Sequence, residues 1–143
     1  RDDDPGALSG GGKQRLAIAA ALAAGRWVLC DRFLDSSLAY QGGADGLGRE
    51  TIRALHDVGS SGLLPDRTFV LDLALATAVS REHARDGEKL DRFGRRGIDY
   101  HAGVAAVFRE LAEAEPDRVR LIDAHGDAGE VTARLVSALD DLL

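Results

Sequence analysis

Three short apolar runs alternate with helical periods along this chain. The runs cover residues 27–30 (WVLC), 68–73 (TFVLDL) and 119–123 (VRLID). The second and third follow the dipeptides Pro65-Asp66 and Pro116-Asp117, which are typical of turns before a strand. Strands that alternate with helices form a parallel sheet covered by helices, and ligands bind beyond the carboxyl ends of the strands. We therefore predict an α/β fold with a parallel sheet of three strands.

Helical segments lie between these runs. Residues 13–24 (KQRLAIAAALAA) are rich in strong helix formers, and Gly25 then favours the end of a helix. Apolar residues recur with helical spacing in three further segments. These are Ile52, Leu55 and Val58; Val104, Val107, Phe108 and Leu111; and Val131, Leu135, Ala138, Leu139 and Leu142. The glycine-rich residues 1–12 are predicted to be a loop, and residues 13–143 a single domain.

Composition and charge limit the classes of function. With 143 residues, 45% of them apolar and 29% charged, the chain is predicted to fold as one globular domain. Its net charge of −6 gives no general attraction to nucleic acid or to anionic membranes, so a phosphate ligand needs a local basic cluster. The four histidines lack the spacing of metal ligands, so we predict no metal site built from imidazoles.

The cysteine content, the length of the apolar runs and the first residues indicate the compartment. The single cysteine, Cys30, excludes an internal disulfide and fits a reducing environment. No apolar run approaches the roughly 18 residues that a membrane helix needs, and the first residues, RDDDP, are acidic where a signal peptide would be basic. We predict a cytoplasmic protein. The first residue is arginine and not methionine, which favours a fragment of a longer chain, although processing or a tag would also remove the methionine.

Polar side chains follow directly after the first apolar run. The guanidinium of Arg32 can bind a phosphate with two hydrogen bonds, and Asp31 can orient that group or hold water on Mg²⁺. The hydroxyl and amide groups that follow can bind a base or a sugar. They belong to Ser36, Ser37, Tyr40 and Gln41. The alternative is a structural ion pair between Asp31 and Arg32, followed by a helix N-cap at Asp35 or Ser36.

A second charged cluster covers residues 81–96 (REHARDGEKLDRFGRR). It holds six positive and four negative side chains and is therefore basic, with a net charge of +2, inside an acidic protein. Arg81 and Arg85 are four residues apart, so they would share one helix face that leads into a loop containing glycine. This pattern indicates a mobile lid whose arginines close over phosphates. The alternative is a solvated, charged helix end.

Four motifs in order carry a resemblance to a known family. They are DRF at 31–33 with SSLAYQG at 36–42, PD at 65–66 before FVLDL at 69–73, LDRF at 90–93, and IDA at 122–124. In order and approximate spacing they resemble the bacterial thymidylate kinase family. The resemblance implies a P-loop-kinase-like parallel sheet flanked by helices, with a lid at about residues 81–98. It also implies phosphoryl transfer from ATP to dTMP with Mg²⁺, usually by a cytoplasmic homodimer.

The same resemblance implies a role for each candidate residue. Arg32 would hold the dTMP phosphate, and Asp31 would support the geometry of that phosphate and of the metal ion. Tyr40 would pack on the deoxyribose. Contacts to the acceptor nucleotide would come from Ser36, Ser37 and Gln41. The lid arginines Arg81, Arg85 and Arg92 would bind the ATP phosphates and stabilise charge on the transferred phosphoryl group.

The sequence departs from the family pattern in three places. These residues contain no G-x-x-x-x-G-K-[ST] loop for the ATP phosphates, and Gly6 to Lys13 is only a near match. The family's base-stacking aromatic and base-contacting arginine would fall near Gly6 and Gly10, and Gly94 stands where a glutamate usually follows the lid motif. We therefore expect an N-terminally incomplete fold and weak or absent turnover.

Two other functions remain open. Residues 8–19 (LSGGGKQRLAIA) resemble the L-S-G-G-x-x-Q-R signature of ABC-type ATPases, which contacts ATP across a dimer. In that family a strand ending in Asp-Glu should follow, whereas here the run ends in Asp31-Arg32. We prefer the simpler interpretation, a glycine-rich linker that leads into an alanine-rich helix. The third possibility is a folded remnant without catalytic activity.

Overall fold

The computed structural model describes residues 10–86 and 97–143, with side chains from residue 16 onward except at 79 and 82–86. The chain divides between Arg32 and Phe33 into two compact units. The predicted lid at 81–98 lies mostly outside the described residues. No helix in the described ranges is both long and apolar enough to cross a bilayer.

The first unit is built around helix α1 (Gly10–Ala23). The helix ends as predicted at Gly25, whose φ of +63° is readily adopted by glycine. The amide of Gly25 donates to the Leu22 carbonyl at 2.9 Å, and the amide of Arg26 donates to the Ala21 carbonyl at 3.0 Å. This pair of bonds is the Schellman arrangement. The predicted loop over residues 1–12 is wrong for 10–12, because the helix begins three residues earlier than expected.

Residues 27–30 do not form the predicted strand. Within the described chain the sheet contains only β1 and β2, and neither pairs with these residues. Leu29 is fully exposed and Trp27 is 65% exposed. An apolar run becomes a strand only when a neighbouring strand takes its backbone hydrogen bonds, and no strand among the described residues pairs with residues 27–30.

The second unit contains the sheet and the remaining helices. Its elements are α2 (Leu34–Ser37), a π-helix (Leu38–Ala44), α3 (Arg49–Ser60), β1 (Thr68–Asp72), α4 (Leu75–Asp86), α5 (Ile98–Ala114), β2 (Val119–Asp123) and α6 (Ala128–Ser137). Strands β1 and β2 are parallel, with Thr68 opposite Val119 and Asp72 opposite Asp123. The predicted α/β fold with a parallel sheet flanked by helices is therefore confirmed, with two strands where three were expected.

The core lies where α2, α3 and α5 meet the start of β2. Its buried residues are Leu34, Leu38, Ile52, Leu111 and Val119. The predicted apolar face of α5 is confirmed, since Val104 and Leu111 are buried. The predicted face of α3 is wrong beyond its first residue, because Leu55 is 63% and Val58 is 89% exposed.

Helix α3 contributes only its first half to the core. Ile52 packs against Gly42 of the π-helix, where an added Cβ would lie 3.3 Å from the Ile52 Cγ1 atom. Ile52, Leu55 and Val58 are each three residues apart, which is less than one helical turn, so Val58 lies on a different face from Ile52. The periodic pattern of α6 likewise extends past the end of that helix at Ser137.

Candidate functional site

The segment that carries four candidate residues changes helix type in its middle. Ser36 and Ser37 lie on α2, and Tyr40 and Gln41 lie on the π-helix that continues it without a break. Backbone hydrogen bonds connect the residues after the π-helix to the π-helix itself, including one of 2.8 Å from the Asp45 amide to the Tyr40 carbonyl. π-Helical turns are rare and occur frequently at functional sites.

Tyr40 lies in an aromatic cluster on α5. Its ring centroid is 6.4 Å from that of Phe108 in an edge-on arrangement, and 6.4 Å from that of Tyr100. Such geometry is favourable for aromatic pairs and fixes the ring. Tyr40 is half-buried and Gln41 is exposed. The aromatic contacts therefore fix the ring of Tyr40, while the neighbouring side chain of Gln41 is accessible to a ligand.

A buried carboxylate, Asp35, lies directly beside these residues. It is 2% exposed and accepts two hydrogen bonds from Arg118, at 2.7 and 2.8 Å, and one of 2.7 Å from the Thr68 hydroxyl. Burial alone would raise the pKa of Asp35, but the bonds from Arg118 and Thr68 and the charge of Arg118 outweigh it. The pKa therefore lies below the ordinary value of 3.8.

The sequence pattern predicts only a helix-capping role for Asp35. A signal was present, because Asp35 precedes Leu38 and Ala39 by three and four residues and therefore shares their helix face. Both of those residues are fully buried. A carboxylate on a buried face needs a cationic partner, but Arg118 is 83 residues away in the sequence and could not be named from the pattern.

Arg118 also joins a wider network of charges. Its Nε donates to Glu115 at 2.7 Å, and Arg53 donates to the other oxygen of Glu115 at 3.0 Å. These bonds, with that from Arg118 first, lower the pKa of Glu115 below its ordinary value. Two carboxylates and two guanidinium groups thus balance each other at the amino-terminal end of the sheet, where β1 and β2 begin.

Asp31 and Arg32 belong to the first unit, and both are exposed. Arg32 adopts φ +65°, in the left-handed region. The Cys30 Sγ atom donates to the Arg32 carbonyl oxygen at 3.4 Å. This conformation costs a non-glycine residue about 1 kcal/mol and is often found where function requires a particular backbone.

The carboxyl-terminal end of the sheet holds the second group of candidates. Arg81 donates to the carbonyl of Ala124 at 3.1 Å and to that of Gly126 at 3.0 Å. It lines a cavity of about 520 Å³ together with Leu71 and Val131. The side chain of Arg85 and all of Arg92 lie outside the described residues. This cavity is at the place where the strand topology predicts a ligand.

Cations already contact the carboxylates that end the strands. Arg109 donates to Asp72 at 2.8 Å. Asp123 accepts bonds from the backbone amide of His125 at 2.9 Å and from its ring, and these bonds lower the pKa of Asp123. In residues 10–86 and 97–143, no three His, Cys, Asp or Glu side chains are grouped to hold a metal ion.

Within the second unit, Ser36 and Arg81 lie at opposite ends of the sheet. The carboxylate of Asp35, next to Ser36, is bound where β1 and β2 start, whereas Arg81 is bound beyond their ends. The step from Thr68 to Asp72 corresponds to about 13 Å at 3.3 Å per residue. The cavity beside Arg81 agrees with the predicted ligand position, while the start of α2 lies at the opposite end of the sheet.

Comparison with known proteins gives the family. Residues 12–135 match the family model described as thymidylate kinase. The chain belongs to the thymidylate kinase family. The resemblance seen in the four sequence motifs is therefore confirmed, and the family match includes most of the stretch that resembles an ABC-type ATPase.

Curated relatives in several bacteria carry the name thymidylate kinase. The protein of Rhizorhabdus wittichii is 56% identical over 126 residues, which are 88% of this chain and 61% of that protein. A relative in Rhodopseudomonas palustris is 42% identical, over 87% of this chain and 55% of its own length. One in Synechococcus sp. is 44% identical, over 88% and 59%. The chain thus spans between 55% and 61% of the length of these thymidylate kinases.

Proposed function

We propose that this chain contributes the acceptor-nucleotide site and part of the lid of an enzyme that transfers the γ-phosphoryl group of ATP to dTMP. The supporting observation is the family match over residues 12–135. It covers the motif at 31–42, which carries Arg32 and the polar residues that follow it. The product would be dTDP, on the route to dTTP.

The acceptor site in this proposal is assigned to the candidate residues between Asp31 and Gln41. Arg32 binds the dTMP phosphate through its two-pronged guanidinium, and Asp31 supports the phosphate and the metal ion. Tyr40 packs on the deoxyribose, an assignment that its fixed ring on α5 supports. The remaining acceptor contacts come from Ser36, Ser37 and Gln41.

The donor site in this proposal lies at the cavity beside Arg81. Arg81 contributes a cationic group, and the apolar Leu71 and Val131 offer surface to a planar base. Arg85 and Arg92 complete the lid and bind the ATP phosphates. Mg²⁺ neutralises phosphate charge in such transfers and is bound in part by the phosphate oxygens.

Several finer assignments follow from family membership alone. We propose a cytoplasmic homodimer that acts on dTMP and ATP, with no nucleic-acid polymer and no membrane as partner. The net charge of −6 supports small-molecule substrates. Residues 1–143 by themselves contain no G-x-x-x-x-G-K-[ST] loop, so we expect a protein made of these residues alone to turn over slowly in a coupled ATP and dTMP assay. Turnover like that of an ordinary nucleotide kinase would contradict this expectation.

A thermal-shift titration with dTMP tests the acceptor site. A ligand that binds only the folded protein stabilises it by about 2.7 kcal/mol at 100 times Kd. We expect dTMP to raise the Tm of the wild type and to have no effect on Arg32→Ala. Arg32→Gly keeps the left-handed backbone available but removes the side chain, so it should also lose the response. Arg26→Ala, which removes a neighbouring cation, is the control and should respond normally.

Two outcomes would reject the proposal. One is the absence of a dTMP response in the wild type, which would favour a folded remnant without activity. The other is a full response in Arg32→Ala, which would remove the guanidinium from the acceptor site. An ABC-type ATPase would instead dimerise with ATP and ignore dTMP, and sedimentation with each nucleotide separates that alternative.

A further inference from the structure

We propose that Asp35 and Arg118 are positioning residues for the acceptor site, and that their ion pair fixes the helical segment that carries the acceptor contacts. This segment is Leu34–Ala44, formed by α2 and the π-helix. The inference rests on the proposed function for the identity of the ligand. The geometry of the ion pair itself is independent of it.

The ion pair connects the start of the segment to both strands. Asp35 accepts from Arg118 through two parallel bonds and from the hydroxyl of Thr68. Thr68 is the first residue of β1, and Arg118 directly precedes β2. The Thr68 amide also donates to the Arg118 carbonyl at 2.7 Å, so the two partners of Asp35 are held together.

The helical segment Leu34–Ala44 is too short to hold its own orientation. It has four residues in α2 and seven in the π-helix, and within the described chain no side chain caps its amino end. An isolated helix shorter than about 12 residues is marginal in water, so external contacts must set the direction of its side chains. The double hydrogen bond between a guanidinium and a carboxylate fixes both distance and rotation. Because Ser36 and Ser37 follow Asp35 directly, that bond sets where they point.

Stability alone gives a weak reason for this arrangement. Removing two charges from water is costly, and apolar residues of the same volume often stabilise a core as well as a buried ion pair does. The ion pair adds directional specificity, which an apolar contact lacks. Arg118 is itself held by Glu115, so its guanidinium has little freedom to follow a shifted helix.

The other end of the segment is fixed by close packing. An added Cβ at Gly43 would lie 2.5 Å from the Val107 Cγ2 atom, so the π-helix and α5 are in direct contact there. The candidate acceptor residues from Ser36 to Gln41 therefore lie between an ion pair at Asp35 and a packing contact at Gly43. Loss of the ion pair would free the first of these two attachments and leave the second intact.

The test combines hydrogen exchange with dTMP binding in the full chain. Asp35→Asn removes the charge with little change of shape, and Arg118→Met removes the donor. We expect the amides of residues 36–44 to exchange about tenfold faster in both variants, with β1 and β2 unchanged. We also expect Kd for dTMP to rise about tenfold at a temperature where circular dichroism shows every variant to be folded. The double variant should be no worse than either single one.

Arg120→Met is the matched control. Arg120 is two residues from Arg118 and pairs with Asp141, away from the segment. It should leave both readouts at wild-type values. Arg118→Lys keeps the charge but cannot form the two parallel hydrogen bonds to Asp35, so this variant should give intermediate exchange rates and an intermediate Kd for dTMP. This variant also decides the matter if Arg118→Met fails to fold.

The outcomes separate the inference from the proposed function. Faster exchange spread evenly over all elements, or unchanged exchange in residues 36–44, would overturn the positioning role. Local loosening with an unchanged Kd for dTMP would overturn the link to the acceptor. If the wild type does not bind dTMP, the proposed function fails. Hydrogen exchange in residues 36–44 then decides by itself whether the ion pair fixes the segment, and unchanged exchange in the variants would overturn that role too.

Discussion

Gly43 lies so close to Val107 that a Cβ atom at residue 43 would be 2.5 Å from the Val107 Cγ2 atom. The contact joins the π-helix to α5 and explains why this position carries no side chain. We expect Gly43→Ala to destabilise the protein by about 2 kcal/mol, since an added methyl group in a well-packed core forces its neighbours to shift. Urea unfolding, followed by far-ultraviolet circular dichroism, measures the change.

Gly103 provides the matched control on the same helix. An added Cβ there meets no atom within 4 Å. Gly103→Ala should therefore stabilise α5 by up to about 1 kcal/mol through helix propensity. Equal effects of the two substitutions would show that propensity and not close packing decides the outcome at Gly43.

Acid should unfold the protein partly through Asp35. Burial opposes ionisation of this group, but Arg118 and Thr68 keep its folded pKa below the ordinary 3.8, to which the unfolded chain returns. As the pH falls through about 4, the unfolded state binds a proton first and the free energy of unfolding decreases. Glu115 acts in the same direction from its ordinary value of 4.5.

Asp35→Asn removes this part of the pH dependence. We expect its free energy of unfolding to fall less than that of the wild type between pH about 5 and about 3. Some dependence should remain, because Asp123 and Asp141 also have lowered pKa values. Urea unfolding at a series of pH values gives the slope. A variant with the wild-type slope would show that the carboxyl of Asp35 does not titrate with folding.

Much of the second unit could be predicted from the sequence because its signals are local. Parallel β1 and β2 follow from apolar runs after Pro-Asp turns, and the buried face of α5 follows from its period. The ion pair of Asp35 and Arg118 could not be predicted, since it depends on contact between residues 83 apart. The π-helix was not predicted either, because this helix type is rare and the sequence analysis contains no pattern that marks it.

Arg81 on α4 and Arg134 on α6 both bind the chain at the end of β2, and they allow a test of the donor cavity. Arg81 and Arg134 both donate to backbone carbonyls there, Arg134 to those of Asp123 at 2.8 Å and His125 at 2.6 Å. Arg81 is among the residues that line the cavity. We expect Arg81→Met to raise the apparent Kd for ATP about tenfold, as measured by thermal-shift titration, because it removes a cation next to the phosphates.

Arg134→Met should lower Tm to a similar extent but keep the ATP response, since it loses comparable bonds outside the cavity. Both variants should keep the response to dTMP. Equal loss of the ATP response in the two would mean that the loop, and not the charge of Arg81, determines binding.

Leu29 distinguishes the observed structure from the sequence pattern. The pattern predicts a strand over residues 27–30, in which Leu29 would be buried, whereas the structure leaves it fully exposed. We therefore expect Leu29→Ala to change the free energy of unfolding by less than about 0.5 kcal/mol. Leu38→Ala, at a side chain with 0% exposure, should cost about 3 kcal/mol and serves as the buried reference. Urea unfolding of both variants makes the comparison. A cost for Leu29→Ala close to that of Leu38→Ala would mean that residues 27–30 pack in solution as a strand does, because only burial makes the loss of a leucine side chain expensive.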